Sequence, residues 1–385
     1  MRAINRRRFL IGAGAGAGAV ALGSLKVAVA DTPMTVARGI PYPELKRLVD
    51  ERLEEAIQDG FPGMVIGAVS GTHWHAAGAG RVRGPGSPAP DVRTVFQIGS
   101  VSKTLTSTAL AVAVRRGELG LQDPLAERMP RWLPAPPHGN GPIRLEHLAV
   151  HSSGLPPVPP GIDQEPGFDP RDPYAGFSKR DLAGAVDKTE LGSEPGATYA
   201  YSNYGAGLLG HVLAARAGTT YARLVRRRVT VPLRMRDTTI KLSGDQIRRR
   251  AHGHDETGAP APDWRFPTLA GAGAHYGAAS DLLRYVRAHL GACPEHLAPA
   301  LRLAAEPRFD AGDGVRLGLA WHISKLPRHG GDATWHTGIT GGFRSFIGFS
   351  RRANVGITVL TNQNKTIDAL AVSLLDSLAA AAEEN

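Results

Sequence analysis

Ser100 and Lys103 stand three residues apart in GSVSKTLTS, Gly99 to Ser107, at the head of a segment that turns apolar and alanine-rich. Residues at that spacing share one helix face, so the hydroxyl and the amine sit side by side. A helix start also presents free N–H groups and a partial positive charge where an anion would form. An alcohol there is placed to attack a carbonyl, provided that the amine accepts its proton. An ordinary lysine, near pKa ~10.4, is almost wholly protonated at neutral pH, and each unit of lowering needs about 1.36 kcal/mol. Burial and a second cation must lower it, and a tyrosine exchanging one proton with the lysine would ease the task.

Downstream segments supply such partners. Tyr201-Ser202-Asn203, in PGATYAYSNYGAGLLG, follows a Pro-Gly turn and precedes a small-residue helix, which puts a phenol and a carboxamide at a helix start. His336-Thr337-Gly338, in WHTGITGGFRSF, stands just before an expected strand, where a sheet edge offers backbone N–H groups to a bound acyl chain. A phosphate-binding loop is excluded, because the two glycine positions it needs ahead of Lys103-Thr104 hold Gln97 and Ser102.

In this order the three motifs resemble those of the class C β-lactamases and the related exported D-alanyl-D-alanine carboxypeptidases and serine esterases: S-x-x-K as Ser100–Lys103, Y-x-N as Tyr201–Asn203, and K/H-T-G as His336–Gly338. The likeness runs from about Pro43 to Ala379 and includes VFQIGSVSKT, IRLEHLAVHSSGLP, GAGAHYGAASDLLRYV and TGITGGFRSFIGF. It implies Ser100 as the acylated nucleophile and Lys103 as its proton partner. Tyr201 would relay the serine proton and later activate the deacylating water, the base role being assigned to the Lys103–Tyr201 pair. Asn203 would hold the substrate's side-chain amide, the N–H groups of Ser100 and Ile339 would form the oxyanion hole, and Thr337 would lie near the substrate carboxylate. The implied substrates are β-lactams or D-Ala-D-Ala peptides; the alternatives are an esterase or D-amino-acid amidase of the same fold, or a penicillin-binding protein without turnover. His336 departs from the usual class C lysine. A histidine near pKa ~6.5 is mostly neutral at pH 7, which weakens carboxylate recognition unless Arg344 or Lys365 restores a cation.

The elements that must position these residues follow from periodicity. Pro43 to Gly60 carries apolar residues at a spacing near 3.6 and reads as an amphipathic helix. Met64–Ser70 and His73–Gly80 read as a hairpin turning at Gly71-Thr72; Leu317–Ser324, Phe343–Ser350 and Val355–Thr361 read as strands, and Thr366–Glu384 as a closing helix. Ser100 to Arg116 is a largely buried helix, and the stretch to Arg308 is dominated by helices and Pro/Gly loops. The expected fold is α/β (α+β) of β-lactamase/transpeptidase type: one antiparallel sheet built from both termini, flanked by the terminal helices, with an inserted, mostly helical subdomain. The aperiodic stretch 154–173, GLPPVPPGIDQEPGFDPRDP, is expected to lie over a cleft.

Composition sets the remaining bounds. Of 385 residues 42% are hydrophobic and 21% charged, a globular balance with no repeat. Arg6-Arg7-Arg8-Phe9-Leu10, a Gly/Ala-rich stretch and Ala28-Val29-Ala30 read as a twin-arginine signal, so residues 1–30 form the signal, 31–42 a linker and 43–385 a single domain, with sheet parts 43–99 and 309–385 and helical part 100–308. That assignment predicts a periplasmic or extracellular monomer without a stable membrane anchor. The first thirty residues hold five of the 45 basic residues and none of the 35 acidic ones, so the net charge of +10 falls to +5 on cleavage. Arg226–Arg228 and Arg248–Arg250 read as solvated faces, and without interleaved aromatics no nucleic-acid partner is expected. The single cysteine, Cys293, can form no internal disulfide. His147 and His151 lack a third ligand and His252–Asp255 reads as a surface loop, so neither a metal nor another cofactor is expected.

Overall fold

The computed structural model describes residues 39–384. The expected signal, 1–30, and most of the linker 31–42 lie outside that range. Ten strands form, β1 Gly63–Ser70, β2 His73–Gly80, β3 Val95–Gln97, β4 Tyr276–Ala278, β5 Phe309–Gly312, β6 Val315–Leu317, β7 His322–Lys325, β8 Asp332–Ile339, β9 Arg344–Ser350 and β10 Val355–Thr361. Eight of them make one antiparallel sheet in the order β2-β1-β10-β9-β8-β7-β6-β5, so strands from the two ends of the chain meet at β1–β10.

Both sheet faces are covered, which is why β1 and β10 are buried throughout and mostly apolar rather than alternating. Met64, Ile66, Val355, Ile357 and Val359 face the terminal helices α1 (Tyr42–Gln58) and α5 (Asp368–Glu384). Val65, Val69 and Leu360 face the helical body. Within that body α2 (Ser102–Arg115) is nearly enclosed, and its threonine hydroxyls are satisfied: Thr106 Oγ1 donates to Gly271 O at 2.8 Å, and Thr108 pairs with Tyr285 OH at 2.6 Å. Two further helices matter here, α3 (Asn203–Arg216) and α4 (Ala279–His289). Although numbered within the expected helical part, α4 lies against β1 and β10. Gly67 makes room for it, since a Cβ there would come within 2.7 Å of Leu283.

Two local expectations change, and one short pairing is new. The Leu317–Ser324 strand is broken into β6 and β7, because Leu319 and Ala320 turn their N–H groups to Ala304 O and Ala149 O in the helical body, with Ala320 at φ +59°. His336-Thr337-Gly338 does precede a strand, β9, but itself lies inside another, β8. The β3–β4 pair, invisible as periodicity at three residues each, ends just before Ser100 and fixes where that turn begins.

Asp281 pins the start of α4. Its buried carboxylate accepts from Asp237 N at 2.6 Å and Thr238 Oγ1 at 3.0 Å, and burial pushes its pKa up to about 6. A carboxyl raised from its ordinary value near 3.8 favours the folded state at acid pH and opposes it once pH climbs through about 6. Asp281→Asn keeps an acceptor for both donors without the charge. Its stability relative to wild type should therefore rise between pH 5 and pH 8 by roughly 1–3 kcal/mol, measured by urea unfolding; a pH-independent difference would refute this.

Candidate active site

Ser100 lies in a 3₁₀ turn, Gly99–Val101, that leads into α2, one turn earlier than an α-helix would carry it. The turn docks on the open end of β8. Gly99 has φ +47°, and a Cβ there would stand 2.7 Å from both Ile339 N and Ile339 O. A Cβ on Gly338 would overlap Ile98 O, the same carbonyl that accepts Ser345 Oγ at 2.8 Å. Two glycines thus let a helix start and a strand edge touch backbone to backbone.

That contact leaves a free backbone donor. Thr340 N donates to Phe343 O at the hairpin end, which sets the alternation along β8–β9 and turns Ile339 N–H away from β9. On the other side β7 has already ended, its last pair with β8 being His322↔Trp335. The Ile339 N–H therefore faces the Ser100 turn.

Lys103 is 1% exposed on α2 and carries no ion pair. Its Nζ lies 2.9 Å from Ser100 Oγ, 2.7 Å from Asn203 Oδ1 and 2.7 Å from Ala272 O. Burial holds the amine well below the ordinary lysine range. A neutral amine has two N–H groups and one lone pair. The amide and carbonyl oxygens can only accept, so the lone pair is left for the serine hydroxyl. Tyr201 completes the group: its hydroxyl bonds Ser100, and Lys103 Nζ sits 4.8 Å from its ring centroid. Burial raises the phenol pKa and the serine bond offsets only part of that, so the phenol keeps its proton.

Asn203 is the first residue of α3, whose cap Ser202 accepts from Gly205 N at 2.9 Å and donates to Pro156 O at 2.7 Å. Its Oδ1 serves Lys103 and its Nδ2 donates to Tyr174 OH at 3.0 Å, which leaves one amide N–H for a substrate. The 154–173 stretch brackets this corner: Pro157 O accepts Asn203 N at 2.8 Å, and Arg171 O accepts Trp264 Nε1, which abuts Gly341 beyond β8.

The third motif divides across the sheet. His336 is 1% exposed and faces Tyr201 and His322, ring centroids 6.4 and 5.3 Å away; its Nδ1–H donates to Thr337 O and burial keeps it neutral. Thr337 faces the other side, donating to Ser345 O at 3.1 Å and Asp368 Oδ1 at 2.9 Å. Its hydroxyl is thus held by a carboxylate, contrary to its expected place beside a substrate carboxylate. Lys365 is also removed from the site, since its Nζ donates to Asp59 O at the end of α1. Arg344 remains: it pairs with Ile339 across β8–β9, and its Nε donates to Asn364 Oδ1 at 2.8 Å.

Sequence reasoning missed Tyr174 and His322, which belong to no local pattern, and the Ala272 carbonyl, which lies in GAGAHYGAASDLLRYV with no side chain to mark it. It met His151 within IRLEHLAVHSSGLP and as a metal candidate, without a place in the site. His151 has φ +56°, accepts Ser202 N with Nδ1 and lies 4.4 Å from the Tyr201 ring, so it braces the tyrosine; His147 Nδ1 instead accepts Arg144 N.

With this geometry, the comparisons with known proteins decide the family. The Beta-lactamase family model matches residues 45–381. The chain belongs to the β-lactamase family. It is similar to the D-alanyl-D-alanine-carboxypeptidase/endopeptidase AmpH of Escherichia coli K12, 27% identical over 348 residues that cover 86% of this chain and 88% of that one. It is also similar to the esterase EstB of Burkholderia gladioli, 29% identical, covering 74% and 81%. Among solved structures, the β-lactamase/D-alanine carboxypeptidase of Yersinia pestis superposes with a TM-score of 0.77 at 24% identity, over 88% of this chain and 98% of that one. The fold is thus that of the class C β-lactamases, and this member of the β-lactamase family is a serine hydrolase.

The backbone contact at Gly338 makes a direct prediction. Gly338→Ala should lower stability by about 1–3 kcal/mol in thermal or urea unfolding, as overpacking does. Gly141→Ala, where nothing lies within 4 Å of the added Cβ, should change it by less than about 0.5 kcal/mol. Equal effects would mean that the β8 edge and the Ser100 turn are not in contact.

Proposed function

We propose that this β-lactamase-family chain is an exported acyl hydrolase that forms an acyl-enzyme at Ser100, acting on D-Ala-D-Ala peptides or β-lactams. The observation that carries the reading is the triangle around Ser100 Oγ: the buried Lys103 amine at 2.9 Å, whose pKa burial lowers, the Tyr201 phenol, whose pKa burial raises, and the Ile339 N–H beside the serine turn. Ser100 Oγ attacks the carbonyl carbon and gives its proton to the Lys103 lone pair. The oxyanion is held by the N–H groups of Ser100 and Ile339. The amide C–N bond then breaks, and the leaving nitrogen takes its proton from Tyr201, which regains one from Lys103. Water enters by the same steps in reverse, breaking the Ser100 ester and releasing the acid. Asn203 orients Lys103 and offers its remaining N–H to the acyl side chain. Export rests on the Arg6–Arg8 signal, and no helix among the described residues is long and apolar enough to cross a membrane.

The neutral, buried His336 favours a second reading, cleavage of carboxylic esters, since the position that would meet a substrate carboxylate carries no charge. Intact-protein mass spectrometry over time, with a penicillin and a D-Ala-D-Ala peptide, should show a Ser100 adduct that Ser100→Ala lacks. No adduct with either, beside rapid p-nitrophenyl ester cleavage and inert nitrocefin, would reject the first reading for the second.

The protonation states fix the pH dependence. The base must be unprotonated, so kcat/KM falls as pH drops through the Lys103 pKa, at a pH well below the ordinary lysine value of 10.5. That limb should persist in His322→Gln, whereas Lys103→Arg should lose about 10²–10⁴ in kcat. Disappearance of the limb in His322→Gln would move the role away from Lys103.

Arg344 is proposed as the cation for a free substrate carboxylate. Arg344→Ala should raise KM for a D-Ala-D-Ala peptide about tenfold while leaving an uncharged ester unaffected. Equal changes for both substrates would assign Arg344 to the architecture alone.

A further inference from the structure

A cavity of about 820 Å³ opens away from the serine, between the segment 234–249, the start of α4 and the edge strand β2. Four exposed arginines, Arg93, Arg234, Arg236 and Arg284, line it together with Trp74, which is 49% exposed. A second cavity of about 420 Å³ shares Arg234 and Arg284 and adds Arg287, so the two form one elongated groove. None of the residues around Ser100 lines either cavity.

The acids in the groove are already engaged. Asp237 and Asp245 both bind Arg249, at 2.6 and 2.8 Å, and Asp281 accepts from Asp237 N and Thr238. Arg93 and Arg284 act on Asp245 and Asp281 only through space, without bonding to them. Among the described residues, no side chain of the four arginines is hydrogen-bonded or ion-paired. Arg234 is moreover held at φ +55°, a conformation that disfavours any residue with a side chain, and it lines both cavities. Arginines left free in a concavity, where like charges repel one another, make an unfilled anion site, and guanidinium forks match phosphate oxygens.

We propose that this groove binds a phosphodiester-linked polyol chain, a flexible polymer with one negative charge per unit. The elongated shape fits a single chain better than a flat lipid surface. Trp74 is the only aromatic lining either cavity, whereas single-stranded nucleic acid grooves stack successive bases on several. One tryptophan face is enough to cover the C–H side of a polyol. The site would tether the hydrolase along an anionic polymer while its active serine remains free.

The test is isothermal titration of the full-length protein with synthetic poly(glycerol phosphate) at several salt concentrations. Binding should weaken as salt rises, by release of counterions. Arg236→Glu/Arg284→Glu should lose about tenfold or more in affinity, and the equally charged control Arg131→Glu/Arg180→Glu less than about threefold. Both should cleave p-nitrophenyl acetate as wild type does. Should the first pair fail to fold, Arg234→Gly serves instead: glycine accepts positive φ, so stability should hold or rise while binding weakens. Equal losses in both pairs, no binding at low salt, or tighter binding of a single-stranded oligonucleotide or phosphatidylglycerol vesicles would overturn the proposal.

Discussion

Everything in this site depends on one constraint, the burial of the Lys103 amine among acceptors with no carboxylate to compensate it. A protonated amine in such surroundings loses its hydration and gains no counter-ion, so the neutral form is favoured. The same burial makes the amine useful. Its two N–H groups are directed at Asn203 Oδ1 and Ala272 O, and the remaining lone pair has a single place to go. Tyr201 feels the same low-dielectric environment with the opposite consequence, because for a phenol the neutral form is the protonated one. One physical effect thus favours the neutral form of an amine and of a phenol on either side of one hydroxyl.

That arrangement holds only if the head of α2 meets the sheet edge at close range. Both sides contribute a glycine, Gly99 and Gly338, and the strand pairing leaves Ile339 N–H directed into the contact. The early end of β7 matters equally, since a longer strand would consume that N–H in the sheet. Leu319 and Ala320, drawn off to carbonyls of the helical body, are what interrupt the sheet ahead of β7.

Around this core lie His151 and His336, both buried, and the half-buried His322, none with an acidic partner among the described residues. Desolvation keeps them uncharged, with the pKa of His322 pushed down to about 4. The serine pocket is consequently poor in fixed charge. Arg344, the cation proposed above for a carboxylate, shares its field with Asp368 and Glu256. This is a different balance from one in which a lysine occupies the position of His336.

The sequence alone determined what is local or periodic. The spacing of Ser100 and Lys103, the amphipathic first helix, the β1–β2 hairpin, strand β10 and the order of the three motifs could all be read from neighbouring residues, because helix faces and strand alternation repeat within a few positions. The tertiary structure decided what depends on residues far apart in the chain. It brought Ala272 and Asn203 to Lys103, turned Thr337 to Asp368 across the sheet, sent Lys365 to the end of α1 and made His151 a brace for Tyr201. Protonation states and free backbone donors belong to this second class, since burial and strand register are properties of the assembled fold and of no single segment.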